Sequence, residues 1–247
     1  NTSEKQGLLQ FTNLLPKEDA PEEEEEEPEV VAPSFSALND EGRRIVKDLL
    51  DTYWKEVSPE EFARVEPIEF TLKDPDKVFK AAHRHHTLKN TKIINDQIEE
   101  WLKDGKIRQS TSEFSSALTV APKKDSAGRV CVDARTFNKH IGGNEYPLPR
   151  LDDLFASSQF KGSKYFAKLD GKSAYTQLPL KEHCKKFTAF RSPSGLYEWN
   201  VLFFGAKTAT GIFQNLMNDM LAGLLGKGVI VYLDDILIYA PSQEEFI

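Results

Sequence analysis

The sequence is poor in cysteine and has no long apolar run, and each shortage excludes a class of protein. Only two cysteines, Cys131 and Cys184, occur among 247 residues, too few for a disulfide scaffold or a zinc knuckle. Both lie in apolar or strand-like contexts, which favours reduced intracellular thiols. No apolar run approaches the length of a membrane span, and no charged-then-apolar leader opens the chain. We therefore expect an intracellular protein without a membrane partner.

Basic residues are scarce at the amino terminus, where most of the formal charge of −7 is concentrated. Residues 1–33 hold ten acidic residues against two lysines, including six consecutive glutamates between Pro21 and Pro28. Such a segment cannot bury enough apolar surface to fold. We predict that residues 1–33 are a disordered spacer, with an acidic interaction tail as the alternative.

The remainder of the chain is nearly neutral but contains a basic section. Between Lys80 and Lys139 there are twelve lysines or arginines against seven acidic residues. Positive charge that faces phosphates can therefore lie on one lobe although the whole chain is acidic. A solvated surface with scattered lysines would fit much of the same section.

Hydrophobic periodicity predicts helices and strands that alternate along the chain. The helices are predicted at 39–57, where Asn39 and Asp40 are N-terminal signals, at 91–103, ending before Gly105, and at 209–225. The strands are predicted at 117–121, 130–132, 165–169, 176–180, 187–190 and 196–202. Runs of strands interrupted by a few helices indicate an α+β fold.

Two adjacent carboxylates at Tyr232-Leu233-Asp234-Asp235 lie between apolar runs that predict the two strands of a β-hairpin. An acidic turn without chemistry would have the same pattern. A third carboxylate, Asp170, follows the strand-like run 165–169. If the strands are neighbours, the three carboxylates meet at one end of a sheet, where they favour paired divalent cations about 4 Å apart.

From about Pro67 to its end, the chain resembles the reverse transcriptase of gypsy-type LTR retrotransposons and, more distantly, of retroviruses. The resemblance rests on the joint order of seven motifs over more than a hundred residues. They are Lys123-Lys124-Asp125 with Arg129, Val132 to Lys139, Tyr146-Pro147-Leu148-Pro149-Arg150, Lys168-Leu169-Asp170, Phe203-Phe204-Gly205, Phe213 to Met217 and Tyr232-Leu233-Asp234-Asp235.

The resemblance implies the fingers and part of the palm of a polymerase right hand, with an antiparallel palm sheet and packing helices. It assigns a helical lead-in to residues 34–66 and the truncated polymerase domain to residues 67–247. Within that domain, we expect the fingers at about 67–145 and 178–207 and the palm at about 146–177 and 208–247. We also expect the chain to be a piece of a longer Pol polyprotein with a thumb, RNase H and integrase.

The resemblance also implies two-metal nucleotidyl transfer from a dNTP to a primer 3′-hydroxyl. The expected catalytic residues are Asp170, Asp234 and Asp235, which would hold two Mg²⁺ ions, or Mn²⁺, together with the Gly171 carbonyl. The other expected dNTP ligands are Lys123 and Arg129 at the triphosphate, the backbone of Ser173 and Ala174, and Tyr175 and Phe204 at the sugar.

A template-primer of RNA and DNA is expected to contact Asp133, Arg135 and Gly205. For the pair Asp133 and Arg135, a purely structural ion pair is an equal alternative. For Tyr175, the alternative is an aromatic side chain that only packs. The cluster His83-Arg84-His85-His86 has no cysteine or carboxylate at ligand spacing, so a solvated basic strand is favoured over a metal site.

Several positions depart from the gypsy-type pattern without removing a carboxylate. They include Ala134, Gly171, Ala174, Phe203, Thr208 and Thr210, and the segment Ser110 to Ser116 lacks its usual prolines. Two hypotheses follow: a reverse transcriptase, or an inactive remnant or domesticated module that binds nucleic acid. For the first, we expect an intracellular location, in a cytoplasmic virus-like particle if the element is active.

Overall fold

In the computed structural model, the chain divides into two compact units that alternate along the sequence. The described residues are 9–12, 37–56, 62–82, 84–123, 126–142, 146–156, 160–171 and 173–247. The first unit comprises Asn1–Pro59, Pro147–Ser173 and Phe213–Ile247, and the second comprises Glu60–Tyr146 and Ala174–Ile212. The sequence predicted boundaries between fingers and palm at 145/146, 177/178 and 207/208, whereas the compact units divide at 146/147, 173/174 and 212/213.

The first unit is built on an antiparallel sheet of four strands. These are β1 (Leu9–Thr12), β5 (Tyr165–Gly171), β8 (Val229–Tyr232) and β9 (Asp235–Ala240). Their order is β1-β5-β9-β8, and every neighbouring pair is antiparallel. The predicted hairpin is present, because β8 and β9 are joined by only two residues, Leu233 and Asp234.

Strand β1 corrects the prediction that all of residues 1–33 are disordered. Its backbone pairs with β5 from Leu9, opposite Gly171, to Thr12, opposite Lys168. The sequence Leu-Gln-Phe-Thr alternates apolar and polar residues, a pattern that suits a strand, and β5 offers it a free edge. The acidic run that follows lies outside the described residues.

Among the described residues, four α-helices lie wholly or partly in the first unit. They are α1 (Asp40–Glu56), α4 (Leu151–Ala156), α7 (Gln243–Phe246) and α6 (Ala209–Met220), whose first turn belongs to the second unit. The start of α1 matches the predicted signal, since the Asn39 side-chain oxygen accepts from the Gly42 N–H at 2.9 Å. None of the helices in the described ranges is long and apolar enough to cross a membrane.

The second unit has a five-stranded mixed sheet with one long and two short α-helices among its described residues. Its strands are β2 (Ile107–Gln109), β3 (Ser116–Lys123), β4 (Ser126–Asp133), β6 (Phe190–Ser192) and β7 (Gly195–Trp199). The order is β2-β7-β6-β3-β4, with β3 and β6 parallel. Its helices are α2 (Leu88–Lys103), α3 (Arg135–His140) and α5 (Glu182–Lys185).

Aromatic side chains form the core of the second unit. Phe137 is fully buried and meets Phe70 and Phe203 edge-on, with ring centroids 5.3 and 5.2 Å apart. Phe203 in turn stacks on Trp199 at 5.9 Å. The departure at Phe203, where gypsy-type enzymes usually have proline, is therefore accommodated by apolar packing that stabilises this unit.

Four predicted elements were wrong in type or extent, and one of them is the strand predicted at 196–202, since β7 ends at Trp199. Residues Ala174–Gln177 form a 3₁₀ helix, and the predicted strand 176–180 is reduced to isolated bridges, because Pro179 has no N–H for a ladder. Lys186–Thr188 form another 3₁₀ helix, so only Phe190 of the predicted strand 187–190 begins β6. Helix α6 ends at Met220 rather than 225, before Gly223 and a left-handed Gly226.

Candidate active site

The fold of the first unit brings the expected carboxylates to one end of its sheet. Asp170 in β5 lies directly opposite Asp235, the first residue of β9. Asp234 occupies the turn that precedes Asp235, and its carbonyl accepts from the Gly171 N–H at 3.4 Å. The structure thus places Asp170, Gly171, Asp234 and Asp235 together, on strands that are distant in sequence.

The turn that holds Asp234 is fixed by a buried amide. Leu233 has a left-handed backbone with φ of 57°, which is unfavourable for a branched side chain. The Gln214 side-chain oxygen accepts from the Leu233 N–H at 2.7 Å, and its amide donates to the Val231 carbonyl at 3.3 Å. Gln214 therefore anchors both the strand and the turn from α6.

Gln214 lies in the motif Phe213 to Met217, but the sequence predicted no role for it. The available signal was a polar residue on the apolar side of a helix, flanked by Phe213 and Leu216. Gln214 has no solvent exposure at all, and a buried amide requires partners. Its amide also donates to Asn218 Oδ1 at 2.9 Å, one turn along the same helix, but its partners in the hairpin could not be inferred because they lie seventeen residues or more away.

Burial and neighbouring charge at this end of the sheet act on the Asp170 carboxyl. Burial, followed by the charges of Asp234 and Asp235, raises the pKa of Asp170 above its usual range, while Lys168 opposes this shift. Lys168 Nζ lies 2.8 Å from Asp235 Oδ1. Within the described residues, no three His, Cys, Asp or Glu side chains converge to form a ready metal-ligand group.

The donor chemistry nevertheless suits a hard divalent cation. Carboxylates and a backbone carbonyl are the oxygen ligands that Mg²⁺ and Mn²⁺ accept. After burial, the charges of Asp234 and Asp235 contribute to the raised pKa of Asp170, and a bound cation would offset those charges. Asp235 already has a cationic neighbour in Lys168, so Asp170 and Asp234 fit a metal more directly than Asp235 does.

In the second unit, two of the residues expected at the sugar lie together. The rings of Tyr175 and Phe204 are 5.2 Å apart and inclined by 54°. Phe204 is 60% exposed, and Tyr175 is half-buried in the 3₁₀ helix that follows Ser173. A mostly exposed aromatic that is supported by a second ring can serve as a platform for an apolar or sugar face.

Asp133 is held by two arginines. Arg135 binds both carboxylate oxygens, with its Nε 2.8 Å from Oδ1 and its Nη2 2.6 Å from Oδ2. Arg84 Nη2 reaches Oδ2 at 2.5 Å. Mainly through the Arg135 hydrogen bonds, the pKa of Asp133 falls to about 2. The ion pair is therefore present, and sequence reasoning missed only the part played by Arg84.

The backbone of Gly205 is held against β4 and α3. Its φ is 101°, and an added Cβ would lie 3.4 Å from Ala134 Cβ. Asn138 donates to the Gly205 carbonyl at 2.8 Å and accepts from the Lys207 N–H at 2.8 Å. These contacts fix the exposed loop that contains Phe204, next to the strand that ends in Asp133.

The other residues expected to bind the nucleotide lie on separate elements of the chain. Arg129 is exposed on β4 opposite Ala121, whereas Lys123 is the last residue of β3 and pairs with Ser126 beyond an irregularity in the ladder. Both lie towards the turn end of the β3–β4 hairpin. Ser173 has a left-handed backbone with φ of 55°, and Ala174 is buried at the start of the 3₁₀ helix.

Comparison with known proteins gives a consistent result. Residues 121–247 match the family described as "Reverse transcriptase (RNA-dependent DNA polymerase)". The Transposon Tf2-3 polyprotein of Schizosaccharomyces pombe is 34% identical over 185 residues, which are 74% of this chain and 14% of that relative. The Transposon Tf2-7 polyprotein of the same organism is 33% identical over the same length.

Solved structures share the fold. The foamy viral protease-reverse transcriptase in complex with an RNA/DNA hybrid has a TM-score of 0.74 at 21% identity, over 84% of this chain and 28% of that chain. Its complex with ds DNA has a TM-score of 0.72 at 21% identity, over 84% of this chain and 37% of that chain. These matches confirm the predicted α+β fold of fingers and partial palm.

Proposed function

We propose a function from one premise: the chain belongs to the reverse transcriptase (RNA-dependent DNA polymerase) family. Its relatives are transposon polyproteins, and the chain spans 14% of their length. We infer that it is the fingers and part of the palm of an RNA-directed DNA polymerase from an LTR retrotransposon. The reaction would join a dNTP to a primer 3′-hydroxyl on an RNA or DNA template.

One observation carries this proposal: Asp170 and Asp235 are opposite each other in register, with Asp234 in the adjoining turn. An ordinary acidic turn would need no third carboxylate on a neighbouring strand. Phosphoryl transfer, in contrast, depends on charge and position more than on covalent chemistry from the protein. The end of the sheet where β5 and β9 meet provides both the negative charge and the fixed position.

As a family, reverse transcriptases depend on divalent metal ions. Asp170, Asp234 and Asp235, with the Gly171 carbonyl, would hold two Mg²⁺ ions, and Mn²⁺ could replace them. Such cations would supply charge that activates the primer hydroxyl and neutralises the triphosphate. The protein's own contribution is position: the β5–β9 ladder fixes Asp170 and Asp235, and the turn anchored by Gln214 fixes Asp234.

Nucleotide binding is assigned to the residues that match the dNTP ligands of the family. Lys123 and Arg129 would bind the triphosphate through a point charge and a planar guanidinium. The backbone N–H groups of Ser173 and Ala174 would face the phosphates. Tyr175 and Phe204 would contact the sugar, and their ring contact at 5.2 Å supports a shared role.

Template contact is assigned to Arg135 and the loop at Gly205. Arg135 is 78% exposed on its side chain although it binds Asp133, so its outer face remains available to a phosphate. The exposed Gly205 loop, held by Asn138, lies beside it. Asp133 would orient Arg135 rather than contact the template itself, since its own side chain is only 14% exposed.

The proposed partners follow from the relatives. The Tf2 proteins are polyproteins, and we propose that a thumb, RNase H and integrase accompany this chain in one Pol polyprotein. The related foamy viral structures hold an RNA/DNA hybrid and ds DNA, which supports a template-primer as the substrate here. An active element would carry the protein in a cytoplasmic virus-like particle.

Asp234→Asn tests the proposal in the polymerase that joins this chain to its thumb. Primer extension should fall at least about 1,000-fold, because the substitution removes a metal ligand. Template binding should stay within about twofold, since the basic residues of the second unit are untouched. The matched control, Asp219→Asn at an exposed position on α6, should extend normally.

Normal primer extension by Asp234→Asn would show that these acidic residues form only a hairpin turn and have no catalytic role. If the unsubstituted polymerase binds template-primer but never extends it, the alternative is correct: an inactive remnant or a domesticated module that binds nucleic acid.

A further inference from the structure

Lys168 shares a face of the first unit's sheet with two of the carboxylates. It lies two residues before Asp170 on β5, and alternate residues of a strand point to the same side. Directly opposite residues on paired strands also share a side, which adds Asp235 to this face. Since Lys168 itself is opposite Leu237, it reaches Asp235 diagonally across the ladder.

The contact between Lys168 and Asp235 is close but open to solvent. Nζ and Oδ1 are 2.8 Å apart, and the side chains are 32% and 45% exposed. Ion pairs with this exposure contribute little to folding stability. The ion pair instead affects the charge and orientation of Asp235, which lies next to Asp170 and Asp234.

Because Asp235 is paired with Lys168, only Asp170 and Asp234 of the three carboxylates could bind a cation without first losing an ion pair. Lys168 neutralises Asp235 and engages its Oδ1. Within the described part of the chain, no three acidic, histidine or cysteine side chains form a metal-ligand group. An ammonium group and a divalent cation would compete for the same oxygen, because both are attracted by the same negative charge.

We propose that Lys168 is a positioning residue that retains Asp235 in an ion pair and thereby lowers the affinity of the site for divalent cations. Asp170 and Asp234 then bind a cation first, and Asp235 becomes a ligand only when the ammonium is displaced. This inference rests on the proposed metal site of the polymerase and adds a residue that acts on the metal through another side chain.

The test is the dissociation constant for Mn²⁺, measured on the polymerase without nucleotide or template, from the electron paramagnetic resonance signal of free Mn²⁺. Lys168→Met should tighten binding roughly fivefold, because it frees Asp235 and removes a nearby positive charge. Lys168→Arg, which retains the charge and can retain the pair, should bind nearly as the unsubstituted protein does. Lys164→Met is the matched control, and it should change nothing because this exposed lysine precedes β5, away from the carboxylates.

A double substitution shows whether Lys168 acts through Asp235. In an Asp235→Asn background, Lys168→Met should tighten Mn²⁺ binding by much less than fivefold, since the asparagine has no charge to release and only the direct effect of the Lys168 charge on Asp170 remains. A fivefold tightening that persists in this background would overturn the proposal, because Lys168 would then act directly on the other carboxylates. An unchanged affinity in Lys168→Met alone would overturn it as well.

Failure of this inference and failure of the metal site give different results. If Asp170→Asn and Asp234→Asn abolish Mn²⁺ binding while Lys168→Met has no effect, only the role of Lys168 is wrong. If Asp170→Asn and Asp234→Asn bind Mn²⁺ as before, the proposed metal site itself is wrong, and the inference falls with it. Thermal unfolding monitored by circular dichroism confirms that each variant is folded.

Discussion

Among single residues, Tyr175 has the most specific proposed task. Its ring is supported by Phe204, which is 60% exposed and held in a loop fixed by Asn138. A supported ring beneath a sugar would leave no room for a 2′-hydroxyl and so would select deoxynucleotides. A ring that only packs would influence stability and not selection.

Tyr175→Ala separates these two roles. We expect incorporation of rNTP relative to dNTP to rise at least about tenfold, with a much smaller loss in dNTP incorporation, because the change removes a clash and no phosphate contact. Tyr175→Phe, which keeps the ring, should retain selection. Single-nucleotide extension with matched dNTP and rNTP series measures the ratio. If the ratio of rNTP to dNTP incorporation is the same in Tyr175→Ala and in the unsubstituted polymerase, Tyr175 only packs and does not select the sugar.

The sequence identified residues whose motif is local and missed those whose partner is distant. Asp234 and Asp235 were recognised from a hairpin pattern within twelve residues. The contact of Lys168 with Asp235 depends on the register of two strands that no local pattern specifies. The second arginine on Asp133 was missed for the same reason, because Arg84 lies 49 residues earlier.

Among the elements, the β8–β9 hairpin combines strain with anchoring. Leu233 has a positive φ, which costs about 1 kcal/mol for a residue other than glycine. Gln214 offsets this cost by accepting from the Leu233 N–H and donating to the Val231 carbonyl. The position of Asp234 therefore depends on a helix side chain that no substrate contacts.

Gln214→Leu tests this dependence. The substitution leaves the Leu233 N–H and the Val231 carbonyl without their side-chain partners, so we expect a loss of about 2 kcal/mol in the free energy of unfolding. Primer extension should fall at least about tenfold, because Asp234 is no longer held in one position. The matched control is Asn215→Ala, whose side chain makes only an exposed contact with Asp219 on the same helix. Normal extension by a folded Gln214→Leu protein would contradict the anchoring role.

Periodicity predicted elements well where side-chain burial and backbone pairing agree. Helix α1 and strand β5 were expected almost at their observed bounds, since each has a regular apolar pattern and clear ends. At 176–180 the pattern correctly indicated buried Leu178 and Leu180, which are 2% and 3% exposed. The strand itself did not form, because Pro179 interrupts hydrogen bonding and the preceding residues adopt a 3₁₀ turn.

For the whole molecule, the α+β fold was predictable from element order and motif order together. Periodicity alone indicated strands mixed with helices, and the motifs supplied the polymerase arrangement. The pairing of β1 with β5 was not predictable, because the surrounding composition favours disorder. Nor could sequence indicate that Phe203 would be packed between Phe137 and Trp199.

The uneven charge of the whole chain agrees with a polymerase that keeps its anionic and cationic functions apart. The first thirty-three residues contain ten acids, while the section 80–139 in the second unit contains twelve basic residues against seven acidic ones. The carboxylates belong to the first unit and the proposed phosphate ligands Lys123 and Arg129 to the second.

The central claim is that Asp170 and Asp234 jointly bind a catalytic divalent cation, and anomalous diffraction from crystals soaked in Mn²⁺ tests it most directly. The account predicts an anomalous difference peak within about 2.3 Å of a carboxylate oxygen from both residues. Lys168 should move away from Asp235 wherever a cation engages that residue. Mn²⁺ bound elsewhere in the first unit, with Asp170 and Asp234 both uncoordinated, would contradict the account.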